Sequence, residues 1–144
     1  MSDKQRVLIL CTGNSARSQM AEGLLRHLGG DRFDVESAGT HPSHVRSEAI
    51  QVMREIGVDI SGQWSKSMDR FLGQPFDCVI TVCDRANESC PVFAGAPVRI
   101  HWSFDDPAAI SGSEQERLAA FRRVRDQIDE RLRVFVNQAT TSSG

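Results

Sequence analysis

The chain has 144 residues, 40% of them hydrophobic and 25% charged, with a formal net charge of −2. That length suits a single domain with its own core, and the composition is ordinary for a soluble globular protein. A pI of about 6.1 excludes a broad basic footprint for nucleic acid, and no stretch is long and apolar enough to span a bilayer.

The opening "MSDKQRVLIL" is too short in its apolar part for a signal peptide and lacks a small-residue cleavage site. The expected compartment is therefore the cytoplasm, where Cys11, Cys78, Cys83 and Cys90 are expected to be reduced. Such cysteines are buried fillers, metal ligands or working thiols. "RVLIL" is short, branched and apolar, which predicts a fully buried strand. From Ser18 to Leu28, Met20, Ala21, Leu24, Leu25 and Leu28 recur at helical spacing, and Gly29–Gly30 end the helix. "RFDVESAG" predicts a second strand. "SEAIQVMREIG" predicts a second helix, capped by Ser47, with Ile50, Met53 and Ile56 inward and Gly57 as its stop.

"SMDRFL" predicts one short helix, and "CVITV" and "VRIHW" two further buried strands. The last helix is the most clearly marked: Ser113 and Glu116 form a capping box, and Leu118, Phe121, Val124, Ile128, Leu132 and Phe135 make its apolar stripe. Residues 1–138 read as one domain and "ATTSSG", 139–144, as a frayed tail. Strands alternating with helices predict an α/β fold with a mainly parallel sheet and helices on its faces. Ligands bind such sheets at the carboxyl ends of the strands. Residues 11–18, 83–97 and 103–108 fall there.

The first of these, "CTGNSARS", turns the first strand into the first helix. Gly13 permits backbone angles that other residues resist, and Asn14 tolerates them better than most. Such a turn can aim successive N–H groups of Thr12, Gly13, Asn14, Ser15 and Ala16 at an anion, with the helix dipole behind them. Arg17 adds a planar fork suited to tetrahedral oxyanions. In that field a cysteine ionises readily, its pKa falling from about 8.5 to roughly 3.5–7.5. Cys11 is the candidate nucleophile and Ser18 a candidate donor to its thiolate or to the leaving group. A Walker loop is excluded, since no glycine-lysine pair is present.

Cys83 and Cys90 are separated by six mostly polar residues, a poor spacing for a zinc pair and a better one for a dithiol relay. Cys78 begins a buried strand and reads as core. No metal site is expected.

C-x5-R-S after the first strand, with Asp-Pro late in the chain, resembles the low-molecular-weight tyrosine phosphatase scaffold. "CTGNSARSQMAEG", "ESAGT", "TVCDRANESCPVF" and "HWSFDDPA" together are similar to the arsenate reductases built on that scaffold, from about Val7 to Val136. The resemblance implies a three-layer sandwich with a four-stranded parallel sheet. It implies arsenate as substrate, with phosphate and sulfate competing, and no bound cofactor. It assigns Asp106, joined to Pro107, as general acid, and a relay from Cys11 through Cys83 to Cys90. Thioredoxin is the expected reductant; glutathione with glutaredoxin could engage the same thiols. Relatives with a potassium site carry an aspartate where this chain has Lys66, so the resemblance puts an ammonium in place of the ion if Asn14, Glu22 and Ser37 supply the rest. The rival readings are a tyrosine phosphatase, against which Ala108 stands where a tyrosine would stack, and a non-catalytic thiol or oxyanion sensor. The chain is read as a monomer.

Overall fold

The computed structural model describes residues 4–82 and 98–142. Seven residues, Gln5–Cys11, form β1, and Val7 to Leu10 have no exposed surface at all. Side chains alternate between the faces of a strand, so burial of the whole run means that both faces of the sheet are covered. The strands β2 (Phe33–Gly39), β3 (Cys78–Thr81) and β4 (Val98–His101) pair in the order β2-β1-β3-β4, all parallel. The register sets Cys11 opposite Gly39 and Leu10 opposite Thr81. Edge strand β4 is largely exposed, whereas the sequence predicts a buried one.

Helix α1 (Arg17–Gly29) packs on β2 and on α3 (Glu114–Ser142), and α2 (Ser47–Arg54) packs on α3. This is the expected α/β three-layer sandwich. The capping box of α3 forms in both directions: Glu116 N donates to Ser113 Oγ at 3.2 Å, and Ser113 N to Glu116 Oε1 at 3.3 Å. Its stripe is buried from Leu118 to Leu132. The helix runs on to Ser142, across the expected tail boundary at 138.

Helix α2 departs from expectation in two ways. Its N-cap is Arg46, and Ser47 is already helical, its hydroxyl donating to Glu48 Oε1 at 3.3 Å rather than capping. The helix also ends at Arg54, so Ile56 falls outside the periodicity and is 41% exposed, while Ala49, Val52 and Met53 face inward. "SMDRFL" forms a short 3-10 turn, Met68–Phe71. No helix of the described residues is long and apolar enough to cross a membrane.

Candidate active site

Residues 12–16 carry the chain from β1 into α1, and every carbonyl around this turn is occupied. Cys11 O accepts from Thr40 N (3.2 Å), Thr12 O from His41 N (2.8 Å), Gly13 O from Ser43 N (3.1 Å) and Ser15 O from Arg46 N (3.0 Å). Asn14 O accepts from Gln19 Nε2 at 2.9 Å. In a trans peptide each N–H points opposite to the carbonyl before it. Turning the carbonyls of Cys11, Thr12, Gly13 and Ser15 toward residues 40–46 therefore turns the N–H groups of Thr12, Gly13, Asn14 and Ala16 the other way, onto the opposite face of the loop, the cup. Helix α1 opens onto the cup with Ala16 at its N-cap, no side-chain cap and no acidic residue in its first turn. Its positive end is left for an anion.

The left-handed residue of the turn is Asn14, with φ 47°, and not Gly13. A network of buried side chains holds it there. Asn14 Nδ2 donates to Ser18 Oγ (2.7 Å) and Ser37 Oγ (3.0 Å), and Asn14 Oδ1 accepts from Lys66 N at 2.9 Å. Ser37 Oγ in turn donates to Glu22 Oε1. Asn14, Ser18 and Ser37 are wholly buried. Because the Ser18 oxygen accepts from Asn14, its hydroxyl proton remains available as a donor.

Arg17 stands at the rim. Its Nη1 donates to Phe104 O at 3.0 Å, and its Nη2 lies 3.8 Å from Asp106 Oδ2. The other Asp106 oxygen accepts from Ala108 N at 3.0 Å and caps the 3-10 turn Pro107–Ala109. One carboxylate oxygen is thus fixed by the main chain and the other faces the guanidinium. Asp106, 89 residues beyond Arg17, is thus brought beside it, while Cys11 closes β1, six residues before Arg17, and is 3% exposed.

Lys66 is 6% exposed, and its ammonium lies 3.6 Å from Glu22 Oε1 and 3.3 Å from Glu36 Oε1. Arg26 holds the second Glu22 oxygen at 2.7 Å. With the Glu22 oxygens taken by Lys66, Arg26 and Ser37, and Asn14 Oδ1 by Lys66 N, the donors that a potassium ion needs are committed. This set does not fit the ion. Among the described residues no group of three or more His, Cys, Asp or Glu side chains could hold a metal.

Cys83 and Cys90 lie outside the described residues. Cys78 is core, and burial, reinforced by the Asp77 carboxylate, pushes its thiol up to about 12. Some supporting residues carry no recognisable signal. A Cβ on Gly39 would lie 2.5 Å from Thr12 O. Ser43 and Ser65 hydroxyls both donate to Gly13 O, and Gln63 braces Gln19. His101 has a partner that spacing does not reveal, Thr81 Oγ1 at 2.7 Å from its Nδ1.

A parallel α/β sheet with an anion cup between its first strand and first helix, a cysteine at the strand end and an Asp-Pro facing the arginine defines a class of oxyanion-handling folds. The chain belongs to the low molecular weight phosphotyrosine protein phosphatase family, whose model matches residues 6–142. It is 47% identical over 133 residues to an arsenate reductase of Halalkalibacterium halodurans, covering 92% of this chain and 96% of that one. A solved arsenate reductase in an oxidized state superposes with a TM-score of 0.81 at 34% identity, covering 93% of this chain and 98% of that one. A thioredoxin-dependent arsenate reductase of Corynebacterium glutamicum superposes with a TM-score of 0.76 at 26% identity, covering 98% of this chain and 64% of that one.

Proposed function

We propose that this protein is a thioredoxin-coupled arsenate reductase. The observation that supports the reading is the fastening of the carbonyls of Cys11, Thr12, Gly13 and Ser15 to residues 40–46, which leaves the amides that follow them facing the other way, free to take an anion. The identity to arsenate reductases favours arsenate among the tetrahedral anions such a cup accepts.

The Cys11 thiolate attacks arsenic, an arsenate hydroxyl takes a proton from Asp106 and leaves as water, and a sulfur–arsenic(V) bond forms. Arg17 and the loop amides balance the negative charge. The Cys83 thiolate then attacks Cys11 Sγ. The sulfur–arsenic bond breaks toward arsenic, which departs as arsenite, arsenic(III), and a Cys11–Cys83 disulfide remains. Cys90 attacks Cys83, freeing the Cys11 thiolate and leaving an 83–90 disulfide for thioredoxin to reduce. Lys66 supplies the cation that steadies Glu22, Ser37 and Asn14, so that no potassium ion takes part. The protein works as a monomer in the cytoplasm, and the same cup gives weak phosphatase activity.

The test follows arsenite release with thioredoxin, thioredoxin reductase and NADPH. Cys11→Ser, Cys83→Ser and Cys90→Ser should each stop multiple turnover, with Cys90→Ser completing one cycle. Full turnover by Cys90→Ser would sink the relay.

A further inference from the structure

A row of aromatic rings leads from the body of the protein to the segment that carries Asp106. Phe33 of β2 and Phe135 of α3 lie 5.7 Å apart between ring centroids. Phe135 meets Trp102 edge-on at 6.4 Å, and Trp102 meets Phe104 edge-on at 6.3 Å. Edge-on pairs at these separations are attractive beyond the area they bury. The main chain of Trp102 is fixed at the end of β3, its N–H donating to Thr81 O at 2.8 Å. From there to Asp106 the chain has no regular structure, so no ladder of hydrogen bonds sets the position of Phe104.

The Phe104 carbonyl nevertheless has a task. It accepts from Arg17 Nη1 at 3.0 Å, and with Asp106 it makes up the whole set of polar partners of that guanidinium among the described residues. An arginine has several rotatable bonds, and orienting it before the anion arrives removes an ordering cost from binding.

Resting on the reading of Arg17 as the anion-binding fork, we propose that Trp102 is a positioning residue for the reaction. Its indole, seated on Phe135, sets the depth of Phe104 and hence the carbonyl that aims Arg17 at the substrate anion and keeps it beside Asp106. Trp102 touches no reacting atom and acts through Phe104 and Arg17 alone. A residue that only filled the core would change stability without changing what Arg17 does.

The experiment measures phosphate affinity of the fully reduced protein by titration calorimetry, with arsenate turnover alongside. Trp102→Leu should raise the phosphate Kd about tenfold, the scale of a weakened charged hydrogen bond, and Phe135→Leu should raise it by less. In an Arg17→Lys background the Trp102→Leu change should add nothing, because the group it positions is gone. An unchanged Kd in Trp102→Leu, or the same fold-loss in both backgrounds, overturns the proposal. If Trp102→Leu does not fold, the same comparison is made on Phe135→Leu, which leaves the indole in place, and an unchanged Kd there overturns it equally. Wild-type protein that neither binds phosphate nor reduces arsenate would instead overturn the reading of the site itself.

Discussion

Gly39 and Thr12 approach so closely that a Cβ on the glycine would lie 2.5 Å from the Thr12 carbonyl oxygen and 3.0 Å from Asn14 N. Both neighbours are main-chain atoms of the anion loop, with no flexible end to swing aside. Gly39→Ala should therefore push the loop out of shape. It should cost about 1–3 kcal/mol of stability, the usual scale of overpacking, and weaken phosphate binding by more than that loss explains. Thermal melts and calorimetry on one preparation check both; unchanged affinity would show that the contact is not limiting.

Asn14 combines a left-handed backbone with three side-chain hydrogen bonds. Asn14→Gly keeps the backbone freedom and loses the side chain, whereas Asn14→Ala loses the side chain and adds left-handed strain of roughly 1–2 kcal/mol. Urea unfolding should rank wild type above Asn14→Gly and Asn14→Gly above Asn14→Ala. An alanine variant as stable as the glycine variant would remove the strain from this account.

Glu22 is 1% exposed and faces the side chain of Lys66, itself 7% exposed. Lys66→Met leaves that buried carboxylate with Arg26 as its remaining cation and should destabilise by about 1–3 kcal/mol. Adding Glu22→Gln should recover part of the loss, since the carboxylate left short of one cation is then neutral. The Lys66–Glu36 contact is partly solvated and contributes little by comparison. If Lys66 is the resident cation, wild-type turnover should not depend on whether potassium or an inert cation balances the buffer. A several-fold rise in potassium would contradict this.

The Cys78 thiol, pushed up to about 12, should resist iodoacetamide at pH 8 in the folded, reduced protein, and Cys78→Ala should keep its turnover. The same shift has a stability consequence. The folded state holds this proton above the pH where the unfolded thiol, near ~8.5, releases it. That contribution is complete below about pH 8.5 and is lost as pH rises toward 12. Denaturant midpoints measured across alkaline pH should fall less steeply in Cys78→Ala than in wild type.

Much of the fold was legible because its signals are local. A buried central strand must read as an unbroken apolar run, as "VLIL" does, and a capping box fixes the start of α3 from two residues. Helix α2 misled because Ser47 is a good cap by type, while the chain enters the helix with Arg46 in the capping position. Helical spacing carried on to Ile56 could not register that the helix ends at Arg54. In the site, Cys11 and Arg17 stood out from residue chemistry and spacing, and Asp106 only through the resemblance. Gly39 and Gln63 were not, since a glycine closing a strand and a surface-type amide look ordinary until the loop is folded against them. The place of Lys66 came from resemblance; its burial among carboxylates is a property of packing that no spacing encodes.

Residues 40–46 form a strap behind the loop, fastened through Thr40, His41, Ser43 and Arg46 by main-chain N–H groups. Its grip is therefore largely indifferent to which side chains it carries. Substitutions along 40–46 can alter charge or bulk on the back of the loop while the loop keeps its shape. Proline is the exception at those four positions, because it has no N–H to give. The one proline of the strap, Pro42, occupies a position from which no such bond is drawn. The backing of the loop can thus drift by ordinary mutation without the loop itself being rebuilt each time.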